Sequence, residues 1–493
     1  MNNKKHVIVV GAGIAGLASA LRLLATGARV SVFEAASAPG GKMRTVPSTA
    51  GPVDAGPTVL TMRWVFEDLF AAVGETLNDH VTLTKADTIA RHFWPDGTAM
   101  DLCADPLQSH ANVRNTFGTA AAREFDAFSA RAKRLFTAFD APMMQASTPS
   151  SLGLAKTVLR DPALLLAMAP HKTLSGLLKS SFTEPKLRQL FGRYATYVGG
   201  SPYESPALLS LIWHAESTGV WAVKGGMHQL ATAMTDLIHA KGGSIHFGCP
   251  VSLIEPAPIG LVVKTVDREV NADAVVFNGD PRALTEGALG DEIRNCVPVA
   301  GVDPRSLSAN VMAFAATPKG HALSHHNVFF GDDPLNEFGP LSKGKNPTNP
   351  TLYVCAQDRG GGLKPAGPER FEIIMNAPPC QSNDQRNEQD ATRCQKLIFN
   401  RLAQMGLTFA PKPDATMLTT PADFHAMFPH SLGSLYGRSP HGMTAGLKRP
   451  TARTAVKGLY LAGGGAHPGA GVPMATFSAK HAVEAIKTDL GLT

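Results

Sequence analysis

The chain has 493 residues, 44% of them hydrophobic, with a formal net charge of +6. That length can bury several cores, so two or three domains are expected, and a charge this mild and diffuse argues against nucleic acid as a partner, which would need Lys and Arg clustered on one face. The six cysteines, at 103, 249, 296, 355, 380 and 394, form no CxxC pair, so neither a disulfide framework nor a zinc site is suggested, no metal is expected, and a reducing compartment fits.

Residues 7–34 hold the strongest local signal. An apolar strand, Val7-Ile-Val-Val10, enters the turn Gly11-Ala-Gly13-Ile-Ala15-Gly16, which opens a helix of small residues and leads to a second strand, Val30-Ser-Val-Phe33, ending at Glu34. Each residue has a mechanical task in a dinucleotide-binding βαβ unit. Gly11 permits the tight turn, Gly13 is expected to clear the way for a pyrophosphate at the helix N-terminus, and Gly16 lets helix and strand pack closely. Glu34, about 20 residues on, is placed to accept hydrogen bonds from a ribose diol. The opening Met-Asn-Asn-Lys-Lys before an apolar stretch imitates a secretory signal. Three glycines in register with Glu34 oppose that, so a mature, cytoplasmic N-terminus is expected. Away from this unit no run of about 18 uncharged apolar residues occurs, so no bilayer-spanning segment is expected.

Next comes Pro39-Gly40-Gly41-Lys42-Met43-Arg44, then Asp54-Ala-Gly56-Pro57-Thr58. Two glycines and two cations directly after the ribose acid would bring amides and positive charge back to the same pyrophosphate. Lys42 would contribute a point charge and Arg44 a bidentate fork. Residues 105–210 read as helical. Within them, 151–179 is apolar and basic, with Asp161 alone opposing the cations, a composition suited either to a membrane interface or to a buried helical pair with cationic rims. In the central piece, Lys224-Gly225-Gly226 leads into an amphipathic helix, followed by strands at 244–247 and 250–254. Residues 300–440 mix short strands with Pro- and Gly-rich loops. Near the end, the strand Gly458-Leu-Tyr-Leu enters Ala462-Gly463-Gly464-Gly465-Ala466-His467-Pro468-Gly469-Ala-Gly471-Val472-Pro473-Met474, where Pro473 opens a helix reaching Val483 and Ile486.

These motifs resemble the amine-oxidase-like flavoprotein superfamily, in which Gly-Gly-Arg or Gly-Gly-Lys follows the ribose acid. Amine oxidases usually keep an acidic residue in the C-terminal turn. Gly464-Gly465 stand there in this chain, and the whole tail is similar to that of the carotenoid desaturases of the phytoene-desaturase type. Asp54 to Thr61, Lys224 to Leu230, Asn278-Gly-Asp280-Pro281 and Phe428 to Gly437 extend the resemblance from end to end. Gly40 to Thr45, His92 to Thr98 and Phe139 to Met144 are most similar to its 1-hydroxycarotenoid 3,4-desaturase branch.

The resemblance implies an α/β plus α fold: a discontinuous Rossmann-type FAD-binding domain, a mixed-sheet substrate domain and a helical, membrane-contacting subdomain. The expected boundaries are 1–75, 215–290 and 441–493 for FAD, 76–104 and 291–440 for substrate, and 105–214 for the helices. It further implies FAD contacts from Gly11, Gly13, Ala15, Gly16, Glu34, Gly40, Gly41, Lys42, Arg44, Gly56, Pro57, Thr58, the Val251 backbone at adenine, Asp280, Gly463, Gly464, Gly465, His467, Val472, Pro473 and Met474. Amides at the start of the last helix would face the flavin's pyrimidine oxygen.

The implied reaction is desaturation of an acyclic carotenoid at the 3,4 position of a 1-hydroxy- or 1-methoxyneurosporene, by hydride transfer to flavin. Because the polyene delocalises positive charge, no strong base is required, and no catalytic residue is assigned. His467 reads as an orienting hydrogen-bond partner. A single GxGxxG favours quinone or oxygen over a nicotinamide as electron acceptor. The expected location is peripheral, on the cytoplasmic side of an inner, photosynthetic membrane. The competing readings are a phytoene desaturase, a polyene isomerase, an amine oxidase and a flavin-free isoprenoid carrier.

Overall fold

The computed structural model describes residues 4–493 apart from 363, 382 and 383. Strand His6–Val10, buried along its whole length, is the centre of a five-stranded parallel sheet. Its neighbours are Arg29–Phe33 on one side and Ala274–Phe277 on the other, with Val7 opposite both Val30 and Ala274. Ser244–His246 and Leu459–Leu461 form the two edges. Continuous apolar runs such as Val-Ile-Val-Val suit strands covered on both faces. One face carries helix Ile14–Ala25 and the C-terminal helix Val472–Leu490, which share a core through Leu17, Leu21, Ala479, Ala482, Val483 and Ile486. The other packs on a three-stranded antiparallel sheet, with Ile254 and Val263 against Ile8, Val10 and Val275.

Parallel pairing has a direct consequence for the site. Because 459–461 lies beside 274–277, which lies beside 6–10, the glycine turns that leave the first and last of these strands emerge at the same carboxyl edge. That edge is where open α/β sheets bind ligands.

A second, mixed sheet runs in the order Leu407–Ala410, Ser308–Gly320, Glu369–Ala377, Leu352–Ala356, His326–Phe329, Thr88–Phe93, Ala99–Cys103. One face packs Phe314, Phe371 and Ile373 against Ile398 and Leu402 of helix Glu388–Gln404. Where helix was expected over 105–210, the chain forms a series of helices from Pro106 to Ser217 joined by loops. Asp105 caps helix Pro106–Phe117 by accepting from the Leu107 amide at 2.9 Å, and helix Thr119–Phe139 buries Phe125, Phe128 and Ala132 in the same cluster as Leu177, Leu187 and Phe191. Helices Ser151–Arg160 and Ala163–Met168 behave differently: Leu152, Leu159 and Leu166 are 76%, 78% and 82% exposed. No described helix is long and apolar enough to cross a membrane.

Candidate functional site

The first glycine turn is closed by the Gly11 amide donating to Phe33 O at 2.8 Å, and no side chain caps the helix that starts after Gly13. The Glu34 carboxylate accepts from the Ala12 amide at 2.5 Å and the Ala36 amide at 2.7 Å, which fixes it beside the turn with lone pairs to spare for a diol. Gly40 donates to Ala12 O at 2.9 Å, so the second glycine pair does return to the first turn. Val251 begins its strand two residues after Cys249, whose amide donates to Glu34 O at 2.8 Å.

Two glycines differ in their reasons. A Cβ on Gly16 would stand 2.0 Å from Gly11 O, which is the tight helix–strand packing expected. At Gly13 the direction a Cβ would take is filled by Asn278, whose Nδ2 would lie 2.8 Å away, so this glycine makes room for a side chain. Asn278 donates to Gly11 O at 3.2 Å and its Oδ1 lies beside Gly463, tying the two glycine turns together. Sequence reasoning used Asn278 only as part of a longer match.

At the second turn, Gly463 donates to Ser478 Oγ at 2.7 Å, and Arg449 donates to the carbonyls of Gly464 at 2.7 Å, Tyr436 at 2.8 Å and Arg438 at 2.9 Å. Gly465 is pressed against Pro281, which a Cβ would approach to 2.5 Å. The last helix starts at Gly471 with no side-chain cap, and Met474 packs on the sheet core.

Lys42 donates to Leu435 O at 2.8 Å and lies 5.6 Å from the centroid of the Phe428 ring. Burial lowers its pKa to about 8; Asp280 pulls it up, while Arg305 and Arg449 push it further down. Asp280 is ion-paired with buried Arg305 and caps the Arg282 amide at 3.0 Å, a structural engagement absent from the sequence reading. Burial, with Arg305 and Arg438 adding to it, likewise lowers Arg449 to about 10. Three cations, Lys42, Arg305 and Arg449, thus act on one carboxylate, and Arg449 is bonded to the second glycine turn. That surplus of buried positive charge fits an anionic dinucleotide. Arg44 does not join them: its guanidinium donates to Thr419 Oγ1 at 2.7 Å and sits over the Phe424 ring, so the fork expected at the pyrophosphate is directed elsewhere.

His467 faces away from the turn. Its Nε2 donates to Ala146 O at 2.8 Å and its ring stacks on His481, whose Nε2 donates to Met144 O at 3.0 Å. Burial lowers its pKa to about 4, so it is neutral near pH 7 and holds the 140–146 segment against the tail.

A cavity of about 670 Å³ opens onto this edge. Pro57, Thr58 and Val59 line it from one side and Gly471, Val472 and Pro473 from another, and it extends past Trp94 and Phe330 to Leu178 and Tyr203. Most of its wall is apolar. The Tyr353 hydroxyl is held between Thr58 Oγ1 at 2.8 Å and His326 Nδ1 at 2.7 Å. Behind it the fold gathers His325, His326 and Cys355, whose ligand-capable atoms lie within 4.8 Å of one another. No CxxC spacing announces this group, because adjacent strands assemble it. Burial pushes the Cys355 thiol up and lowers His325 to about 4.

The family described as flavin containing amine oxidoreductase matches residues 14–487. A solved oxidoreductase from Methanosarcina mazei shares the fold at a TM-score of 0.64 and 15% identity, covering 97% of this chain and 100% of its own. Fold and site define a flavin-dependent oxidoreductase with FAD as its cofactor. Two curated relatives are similar throughout: the hydroxyneurosporene desaturase of Cereibacter sphaeroides, 52% identical over 98% of both chains, and that of Rhodobacter capsulatus, 47% identical over 99% of both. The chain belongs, within the flavin-containing amine oxidoreductases, to the carotenoid desaturase family of these relatives.

Proposed function

We propose that the protein introduces the 3,4 double bond of an acyclic 1-hydroxy- or 1-methoxycarotenoid of the neurosporene type. The observation that carries this reading is a mostly apolar cavity ending on Pro57–Val59 and Gly471–Pro473, where both glycine turns converge, in a chain whose near relatives are named for hydroxyneurosporene. FAD supplies the two-electron acceptor when bound. Gly11, Gly13, Ala15, Gly16, Glu34, Gly40, Gly41, Lys42, the Val251 backbone and Gly463–Gly465 would hold it. Thr58, Val59, Val472 and Pro473 would keep the allylic carbons against it and exclude water. The conjugated chain spreads developing positive charge, so a weak proton acceptor suffices.

Electrons leave to quinone or oxygen, in keeping with the single GxGxxG. Substrate arrives from the lipid phase on the cytoplasmic side. Supporting this, the exposed Leu152, Leu159 and Leu166 stand among Lys156, Arg160 and Lys172, while Leu178 and Lys179 of the neighbouring helix Leu174–Ser181 line the cavity. Leucines among acyl chains and cations among anionic headgroups would bring the cavity to the bilayer surface.

Incubation with hydroxyneurosporene or phytoene in liposomes, followed by mass analysis, is the test. Loss of two hydrogens from hydroxyneurosporene is the expected result. Unchanged mass with altered geometry would mean isomerisation, and loss of hydrogens from phytoene alone would make it a phytoene desaturase. Purified protein without a flavin absorption band, even after FAD supplementation, would leave only a carrier.

A further inference from the structure

The cavity is mostly apolar, yet one stretch of its wall holds a guanidinium, a carboxylate and a phenol. Arg193 and Tyr197 belong to the 3-10 segment Arg193–Val198 and Glu216 to helix Ile212–Ser217, and all three line the cavity. Arg193 Nη1 donates to the Tyr197 hydroxyl at 2.9 Å, and that hydroxyl donates to Glu216 Oε1 at 3.1 Å. The Arg193 guanidinium also lies 5.4 Å and 5.1 Å from the Tyr194 and Tyr197 ring centroids. Arg193 Nε and Nη2 and Glu216 Oε2 are buried without a hydrogen-bond partner among the described residues, and the Tyr197 oxygen retains acceptor capacity. Unmet capacity of this kind costs about 1–3 kcal/mol per group, more where charge is involved, and an apolar trio would pack here without that cost.

Position gives the cluster its meaning. Tyr197 and Tyr353 both line the cavity, close enough for their hydroxyls to act on each other, and Tyr353 is bonded to Thr58, so the polar patch adjoins the Pro57–Val59 end of the wall. In a 3,4-desaturation one carbon separates C3 from C1, so an oxygen on C1 must lie at the reacting end of the cavity.

We propose that Arg193 and Tyr197, with Glu216 as their counter-charge, form the subsite that reads the oxygen substituent of the polyene's terminus. The inference rests on the desaturase reading above. A tertiary hydroxyl accepts from Arg193 and donates to the Tyr197 oxygen; a methoxyl only accepts; a hydrocarbon terminus leaves the charges unmet. Discrimination therefore runs hydroxyl over methoxyl over hydrocarbon, because a site built to hydrogen-bond an oxygen rejects the analogue lacking it.

Two variants test this in flavin-replete protein: Tyr197→Phe, and the double variant Arg193→Met/Glu216→Leu, which removes both charges together and so avoids stranding one. Binding of hydroxyneurosporene and neurosporene is followed by quenching of tryptophan fluorescence, and turnover by product mass. The expected result is a hydroxylated-over-hydrocarbon preference in the parent protein that falls about 10- to 100-fold in the double variant, the size of a hydrogen bond to a charged group, and severalfold in Tyr197→Phe, the size of a neutral one. A preference unchanged in either variant, or a parent protein that binds both polyenes equally, overturns the subsite. Preferential binding without loss of hydrogens would uphold the subsite and sink the desaturase reading.

Discussion

At the scale of single residues, Lys42 is the most sensitive reporter of the cofactor site. Its ammonium has a carbonyl and a ring for company, and the carboxylate acting on it is already committed to Arg305. With its pKa lowered to about 8, Lys42 is largely uncharged in the free protein at pH 9. An arriving pyrophosphate favours the charged form, so binding above pH 8 must take up a proton, and FAD affinity should fall with rising pH, by up to about tenfold per unit. Titration calorimetry between pH 7 and 9, below the range in which Arg449 loses its proton, checks this. Lys42→Met should bind FAD more weakly at pH 7 and show a flat profile over the same range. A parent profile equally flat would remove Lys42 from the phosphate site.

The exposed leucines are understood at the scale of the helical elements. Most helices between 106 and 217 bury an apolar face in one cluster with Phe125, Phe128 and Phe191, but Ser151–Arg160 and Ala163–Met168 present leucines outward. Each leucine that leaves water contributes about 1.5–3 kcal/mol. Leu159→Glu/Leu166→Glu should therefore reduce partition onto vesicles of anionic phospholipid by well over tenfold, measured by co-sedimentation, while the flavin absorption band is retained. Equal sedimentation of parent and variant would show that these leucines do not meet the bilayer.

Across the whole molecule, His467 and His481 fasten the C-terminal turn to the 140–146 segment, and so the tail to the helical region. Unfolded, a histidine titrates near 6.5; in the fold His467 stays neutral down to about 4. Between these values the unfolded state binds the extra proton, so His467 contributes a loss of stability as pH falls from 6.5 toward 4, approaching about 1.4 kcal/mol per unit. His467→Gln keeps a polar group without that titration. Its melting midpoint should lie below the parent's at pH 7, and the gap should narrow toward pH 5. A gap that widens would mean the variant lost something other than a buried neutral imidazole.

The part of this fold legible from residue order alone follows from local backbone physics. Residues 7–34 and 458–474 are readable as strand, turn and helix because glycine spacing, apolar runs and a proline at a helix start act over a few residues, and each forms the element expected. The same locality limits it. Lys42 and Arg44 stand two positions apart, yet one reaches Leu435 and the other Thr419, and no spacing encodes such long-range partners. Asn278 beneath both glycine turns, the charge surplus around Arg449, and the Arg193–Tyr197–Glu216 wall are products of parallel pairing and helix packing between distant segments. Tertiary structure decided these, because the direction of a long side chain and the neutralisation of a buried charge depend on neighbours that come together only when the chain has folded.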